Sequence, residues 1–125
     1  MAASDIIIRP EAEADYAAIH ALTLAAFAPM PFSAGTEAPI IDALRSAGDL
    51  TLSLVAVAGG EVVGHIAFSP VSIDGTHAGW YGLGPISVAP SRQRSGIRRA
   101  LVEAGLAAMR RHGASGIALI GDPAL

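Results

Sequence analysis

Leu83-Gly84-Pro85-Ile86-Ser87-Val88-Ala89-Pro90-Ser91-Arg92-Gln93-Arg94-Ser95-Gly96-Ile97-Arg98-Arg99-Ala100-Leu101 is the stretch that decides the fold. Residues 83–89 read as an apolar strand that Pro90 ends. A polar turn rich in arginine follows. Ile97, Leu101, Ala104, Gly105, Ala108 and Met109 then recur on one face of a helix. Arg110, Arg111 and His112 suit the negative end of that helix's dipole, and Gly113 closes it. A strand, a tight turn and a helix in this order aim the first amides of the helix outward. Those donors, with the positive end of the dipole, form an anion site. A pyrophosphate would sit over Gln93 to Arg99 without a metal, and Arg92, Arg94, Arg98 and Arg99 add positive charge around it. An arginine-rich turn also suits a solvated surface, and the local pattern alone leaves both readings open.

Upstream of this unit, Ile6, Ile7 and Ile8 form a β-branched run ended by Pro10. Glu11, Glu13 and Asp15 follow, placing negative charge where a helix start favours it. Tyr16, Ile19, Thr23, Ala26 and Phe27 give that helix one face to bury before Pro29 and Pro31 stop it. A second, shorter helix begins near Thr36, carries Ile40, Ile41 and Leu44 as its apolar stripe, and closes at Gly48. Residues 50–58 and 62–69 read as a hairpin turned by Gly59 and Gly60. Residues 71–73 continue along a sheet edge after Pro70, and Asp74-Gly75 signals a further turn. Residues 117–120 read as a short buried strand, which Gly121-Asp122-Pro123 breaks.

The chain has 125 residues, enough for one domain, and no repeat or linker divides it. Its apolar fraction is 52%, but much of that is alanine, which suits a helix surface as well as a core. The longest apolar stretch, residues 50–58, contains Thr51 and Ser53 and is far shorter than the roughly 18 residues of a membrane span. The first residues lack the basic and apolar segments of a secretory leader, so a cytoplasmic location is expected, with no membrane partner. Without cysteine, a thiolate nucleophile and a disulfide framework are excluded. All eight basic side chains are arginine, a bias toward a GC-rich, bacterial genome. The net charge of −3 argues against general nucleic-acid binding.

Single residues carry weaker signals. A neutral imidazole at His65, mid-strand beside Gly64, would accept the proton of an attacking amine, which makes it the candidate catalytic base; a hydrogen-bonded structural histidine is the plainer reading. His20, His77 and His112 look like surface or helix-end residues, and no metal site is expected. Ser69 lacks the glycines of a nucleophile elbow, and Gly82-Leu83-Gly84 lacks the third glycine of a dinucleotide fingerprint. Glu61 and Glu103 read as exposed charges, the latter one turn from Arg99. Trp80 and Tyr81 fit packing better than an acceptor pocket.

The central unit resembles the cofactor motif of the Gcn5-related N-acetyltransferases (GNAT), Gln/Arg-x-x-Gly-x-Gly/Ala after a strand ending in Val-x-Pro. Here it is Val88-Ala89-Pro90, then Gln93-Arg94-Ser95-Gly96-Ile97-Arg98. Residues 64–70, 82–85 and 121–123 are similar to the bacterial YhbS-like members, so the resemblance runs along essentially the whole chain. It implies an α+β fold in three layers, with a mixed sheet and the order β-α-α-β-β-β-α-β, lacking the usual final helix and two strands. It implies that the backbone of Ile86, Ser87 and Val88 holds the acetyl and pantetheine end of acetyl-CoA. The amides of Arg94, Ser95, Gly96, Ile97, Arg98 and Arg99, beside Gln93, would hold its pyrophosphate. Two departures stand out. Arg98 replaces the motif's last Gly or Ala, where its guanidinium either pairs with phosphate or crowds it. Only Ala124 and Leu125 follow Pro123, where the family continues with an aromatic-rich segment carrying a thiolate-protonating tyrosine.

The function expected from this resemblance is transfer of an acetyl group from acetyl-CoA to a primary amine of a small molecule or peptide, by direct attack. A non-catalytic acyl-CoA-binding domain is the alternative. An interaction module is a third reading. The exposed edge of the last strand is expected to pair copies of the chain into a homo-oligomer.

Overall fold

The structure, a computed structural model, describes residues 6–30, 33, 35–72, 75 and 79–119. The expected order holds: β1 (Ile6–Pro10), α1 (Tyr16–Phe27), α2 (Glu37–Ala47), β2 (Leu52–Ala58), β3 (Glu61–Pro70), β4 (Trp80–Val88), α3 (Ile97–His112) and β5 (Gly116–Leu119). The five strands lie in sequence order across one sheet. The first four are antiparallel, and β5 joins β4 in parallel after the α3 crossover. Helices cover both faces, α1 and α2 on one and α3 on the other.

The two faces differ in what they bury. Under α3, Leu54, Ile66, Phe68, Leu83, Ile86 and Val88 meet Ile97, Leu101 and Met109. Gly64 lets this layer close at its active end: a Cβ there would lie 2.8 Å from Ile97 Cγ2 and 3.0 Å from Leu101 Cδ1. The first turn of α3 therefore rests directly on β3. On the opposite face Ile19, Ile41 and Val55 form a smaller apolar cluster. A polar row lies beside it, since Ser53, His65, Ser69, Ser87 and Thr23 are all buried.

Acidic residues after β1 do more than favour a dipole. Asp15 accepts the Ala12 N–H at 2.7 Å and Arg9 Nη1 at 2.7 Å, which ties β1 to the start of α1. Glu11 turns inward to Arg45 of α2, at 2.8 and 3.0 Å. That guanidinium also lies 3.9 Å from the centre of the Tyr16 ring, which keeps Tyr16 half-exposed and outside the core.

Several boundaries differ from expectation. The α2 stripe is Ala38 and Ile41; Ile40 is 44% exposed, because α2 is rotated to set the alanine against α1. Strand β4 starts at Trp80, three residues early, since its first half pairs with both β3 and β5. Val71 and Ser72 form no edge strand; the Val71 N–H donates to Trp80 O instead. β5 is half-buried, and Leu119 is 61% exposed, because the far side of this edge strand has no partner among the described residues. His77 and the segment 120–125 lie outside the described residues.

Candidate active site

The site lies along the second half of β4. Among the described residues, pairing with β5 runs from Trp80 to Leu83. Gly84 and Pro85 together oppose the single residue Ala67, a bulge that bends β4 away from regular pairing. Beyond it, Ala89 N–H donates to Val63 O at 2.9 Å. Backbone groups alternate sides along a strand, so Ser87 also faces β3, while Ile86 and Val88 direct their N–H and C=O to the other side, an edge that is open among the described residues. Gln93 Nε2 reaches Val88 O on that side at 3.4 Å.

The turn between β4 and α3 continues this edge. Residues Pro90–Arg92 form one 3-10 turn, and the Ser95 hydroxyl donates to Arg92 O. Arg94 sits at φ +67°, a strained setting for a residue with a Cβ. Gly96, at φ +90°, precedes the first residue of α3, and no side chain caps the helix there. The start of the helix thus carries no side-chain cap, and its amide end is the kind of place an anion occupies. This is the turn the sequence marked as an anion site.

A cavity of about 410 Å³ joins these parts. Ile86 and Val88 of β4 form one wall, and Ala26, Phe27 and Met30 at the end of α1 form the other. Arg92, Gln93, Arg94, Gly96, Arg98 and Arg99 line its polar end. Arg99 holds Glu103 at 3.2 Å on the exposed face of α3, as the one-turn spacing predicts. Seven of the ten residues expected at the cofactor thus line the same cavity as Ala26, Phe27 and Met30, which the sequence reading missed. Ala26 and Phe27 were legible as a buried helix face, but no local signal says that this face ends opposite the arginine turn. Ile97 is 3% exposed and packs on β3, leaving its amide as its contribution to the helix start. Ser95 supports the turn through Arg92. Ser87 points to the other layer, where its hydroxyl donates to Thr23 Oγ1 at 3.2 Å.

The structure does not bring His65 to this cavity. Its side chain is fully buried on the α1 face, with Nε2 2.8 Å from Ser53 Oγ. Ser53 in turn donates to Glu11 Oε1 at 2.7 Å. Burial pushes the His65 pKa down to about 4; the Glu11 carboxylate opposes that shift and Arg45 adds to it. Burial alone would raise the Glu11 pKa, but hydrogen bonds from Arg45 and Ser53 hold it below its ordinary value. A neutral imidazole sealed in this way packs as a structural residue. His20 pairs with Asp42 at 2.7 Å, and His112 meets the Tyr81 hydroxyl at 3.2 Å. No cluster of three metal-ligating side chains occurs among the described residues. No helix among them is long and apolar enough to cross a membrane.

A strand edge with no partner among the described residues, running into an arginine-ringed helix start without a side-chain cap, is the arrangement the cofactor motif implies. The acetyltransferase (GNAT) family model matches residues 16–124. The chain belongs to the GNAT family. An uncharacterized N-acetyltransferase, YhbS of Escherichia coli strain K12, is 36% identical over 121 residues, spanning 96% of this chain and 70% of YhbS. A crystal structure of a GNAT family acetyltransferase from Brucella melitensis, in complex with acetyl-CoA, superposes with a TM-score of 0.91 at 54% identity. That match covers 94% of this chain and 76% of the other. The crystal structure of E. coli YhbS in complex with CoA gives a TM-score of 0.86 at 36% identity. It covers 97% of this chain, which spans 65% of the YhbS chain in that structure. This GNAT chain shares with them a mixed five-stranded sheet covered by helices on both faces.

Proposed function

We propose that this GNAT domain binds acetyl-CoA along β4 and transfers the acetyl group to the primary amine of a small molecule or peptide. The observation that carries this reading is the continuity of one cavity from the open edge at Ile86 and Val88 to the uncapped start of α3. The two ends of the cavity suit the two ends of the ligand. Ile86, Val88, Ala26 and Phe27 offer an apolar channel to an uncharged pantetheine arm, with backbone hydrogen bonds along its length. The N-terminal end of α3, with the arginine side chains around it, suits phosphate oxygens.

When bound, acetyl-CoA supplies an activated thioester. The amine nitrogen attacks the thioester carbonyl carbon, the C–S bond breaks, CoA leaves as the thiolate, and the proton lost by the amine passes through solvent to give free CoA thiol or buffer acid. The chain's own contribution is proximity and orientation: β4 and α1 hold the arm between them, and backbone N–H groups on the open edge face the developing oxyanion. Isothermal titration with acetyl-CoA tests the binding half, with displaced amide resonances expected for Gly96 to Arg99. A thiol-release assay with a panel of primary amines tests transfer. Absence of heat, together with unmoved Gly96 to Arg99 amides at near-millimolar ligand, would refute the site.

A further inference from the structure

Two walls of the cavity belong to different layers, and one hydrogen bond crosses between them. Thr23 on α1 and Ser87 on β4 are 0% and 1% exposed. Thr23 Oγ1 donates its only proton to Ile19 O at 2.8 Å. It therefore accepts from Ser87 Oγ, at 3.2 Å. The position of this bond matters. Ile86 and Val88, on either side of Ser87, line the cavity, as do Ala26 and Phe27, one turn beyond Thr23. Apolar packing between α1 and β4 has no preferred direction, whereas a hydrogen bond sets both separation and angle.

Ser87 has a second potential acceptor beside it in the sheet, on the same face. His65 is its cross-strand partner in the β3–β4 register, at the roughly 5.5 Å Cα spacing of a hydrogen-bonded pair. The Ser53 proton goes to the Glu11 carboxylate, so Ser53 Oγ accepts from His65 Nε2–H. Nδ1 of the same ring is left with a lone pair, and this buried atom has no hydrogen-bond partner among the described residues. The single Ser87 proton thus has two destinations, Thr23 across the layers or His65 within the sheet.

We propose that Thr23 and Ser87 are positioning residues that set the width of the acyl-CoA channel, with His65 Nδ1 as the acceptor that takes Ser87 when the tie to α1 is released. This rests on the acetyl-CoA reading above. With the tie made, α1 holds Ala26 and Phe27 against the ligand arm. With it broken, Ser87 turns in the plane of the sheet and the α1 wall is free to move away from β4.

The test uses the whole chain, with Thr23→Val, Thr23→Ser and Ser87→Ala, each checked by thermal melting. Thr23→Val removes the acceptor at nearly constant shape. Acetyl-CoA affinity in titration calorimetry is expected to fall on the order of fivefold, the change a single lost hydrogen bond supports. Nitrogen-15 NMR of His65 supplies a readout that simple destabilisation does not move. Nδ1 is expected to shift to its hydrogen-bonded position in Thr23→Val and to stay at the parent position in Ser87→Ala. Thr23→Ser restores the parent affinity. Ser87→Ala, which removes one oxygen, reads the same loss of affinity should Thr23→Val fail to fold. Parent-like affinity in both Ser87→Ala and a folded Thr23→Val overturns the positioning role, as does an unmoved Nδ1 resonance in Thr23→Val, while leaving acetyl-CoA binding in place. If the parent chain binds no acetyl-CoA, the functional reading falls and the positioning role falls with it.

Discussion

Lowering the pH from about 7.5 to about 5 should cost this protein about 2 kcal/mol of stability through His65 alone. The ring is sealed beneath α1, and burial holds its pKa at about 4 against an ordinary 6.5. Between those values the unfolded chain binds a proton at this site and the folded chain does not. Stability from the neutral ring is therefore present above pH 6.5 and is lost as the pH falls toward 4. At about pH 5 most of that loss has accrued, while the Glu11 and Asp15 carboxylates, both held below their ordinary pKa values, remain ionised. His65→Gln keeps a donor for Ser53 Oγ and cannot titrate. Urea unfolding of parent and variant at the two pH values isolates the term, because the other histidines are common to both and cancel in the difference. The parent should lose about 2 kcal/mol more than the variant. Equal losses would show that the imidazole gains a proton in the folded state, and the buried, neutral assignment would be wrong.

Three further outcomes follow from the geometry. Arg98→Gly is expected to tighten acetyl-CoA binding in calorimetry by letting phosphate approach the start of α3, and weaker binding would instead identify the guanidinium as a ligand. Gly64→Ala places a Cβ 2.8 Å from Ile97 Cγ2; it should cost about 1–3 kcal/mol in thermal unfolding and displace the amide resonances of the α3 start, whereas a parent-like melt would show that the helix moves without strain. Edge strand β5, without a far-side partner among the described residues, should associate with a second copy, so light scattering is expected to show an assembly that Leu119→Lys disperses, and a parent chain that stays monomeric at high concentration would contradict it.

Element order, the turn after Val88 and the amphipathic face of α3 were determined by the sequence itself. Each rests on neighbours a few residues apart: Pro90 ends a strand, a polar turn with arginine and glycine leads into the helix, and Ile97, Leu101, Gly105 and Met109 recur at helical spacing. Membership in the GNAT family was legible for the same reason, since its motif is a contiguous run. Only the tertiary structure decided that Ala26, Phe27 and Met30 form the second wall of the cavity. Periodicity tells which face of α1 is buried, but not what it is buried against. The fate of His65 was likewise undecidable from its strand. The residues that make it structural are Glu11, Ser53 and Arg45, carried by three other segments, and burial among them shifts its titration. Chemistry that depends on desolvation and on partners distant in sequence becomes readable only when the layers close.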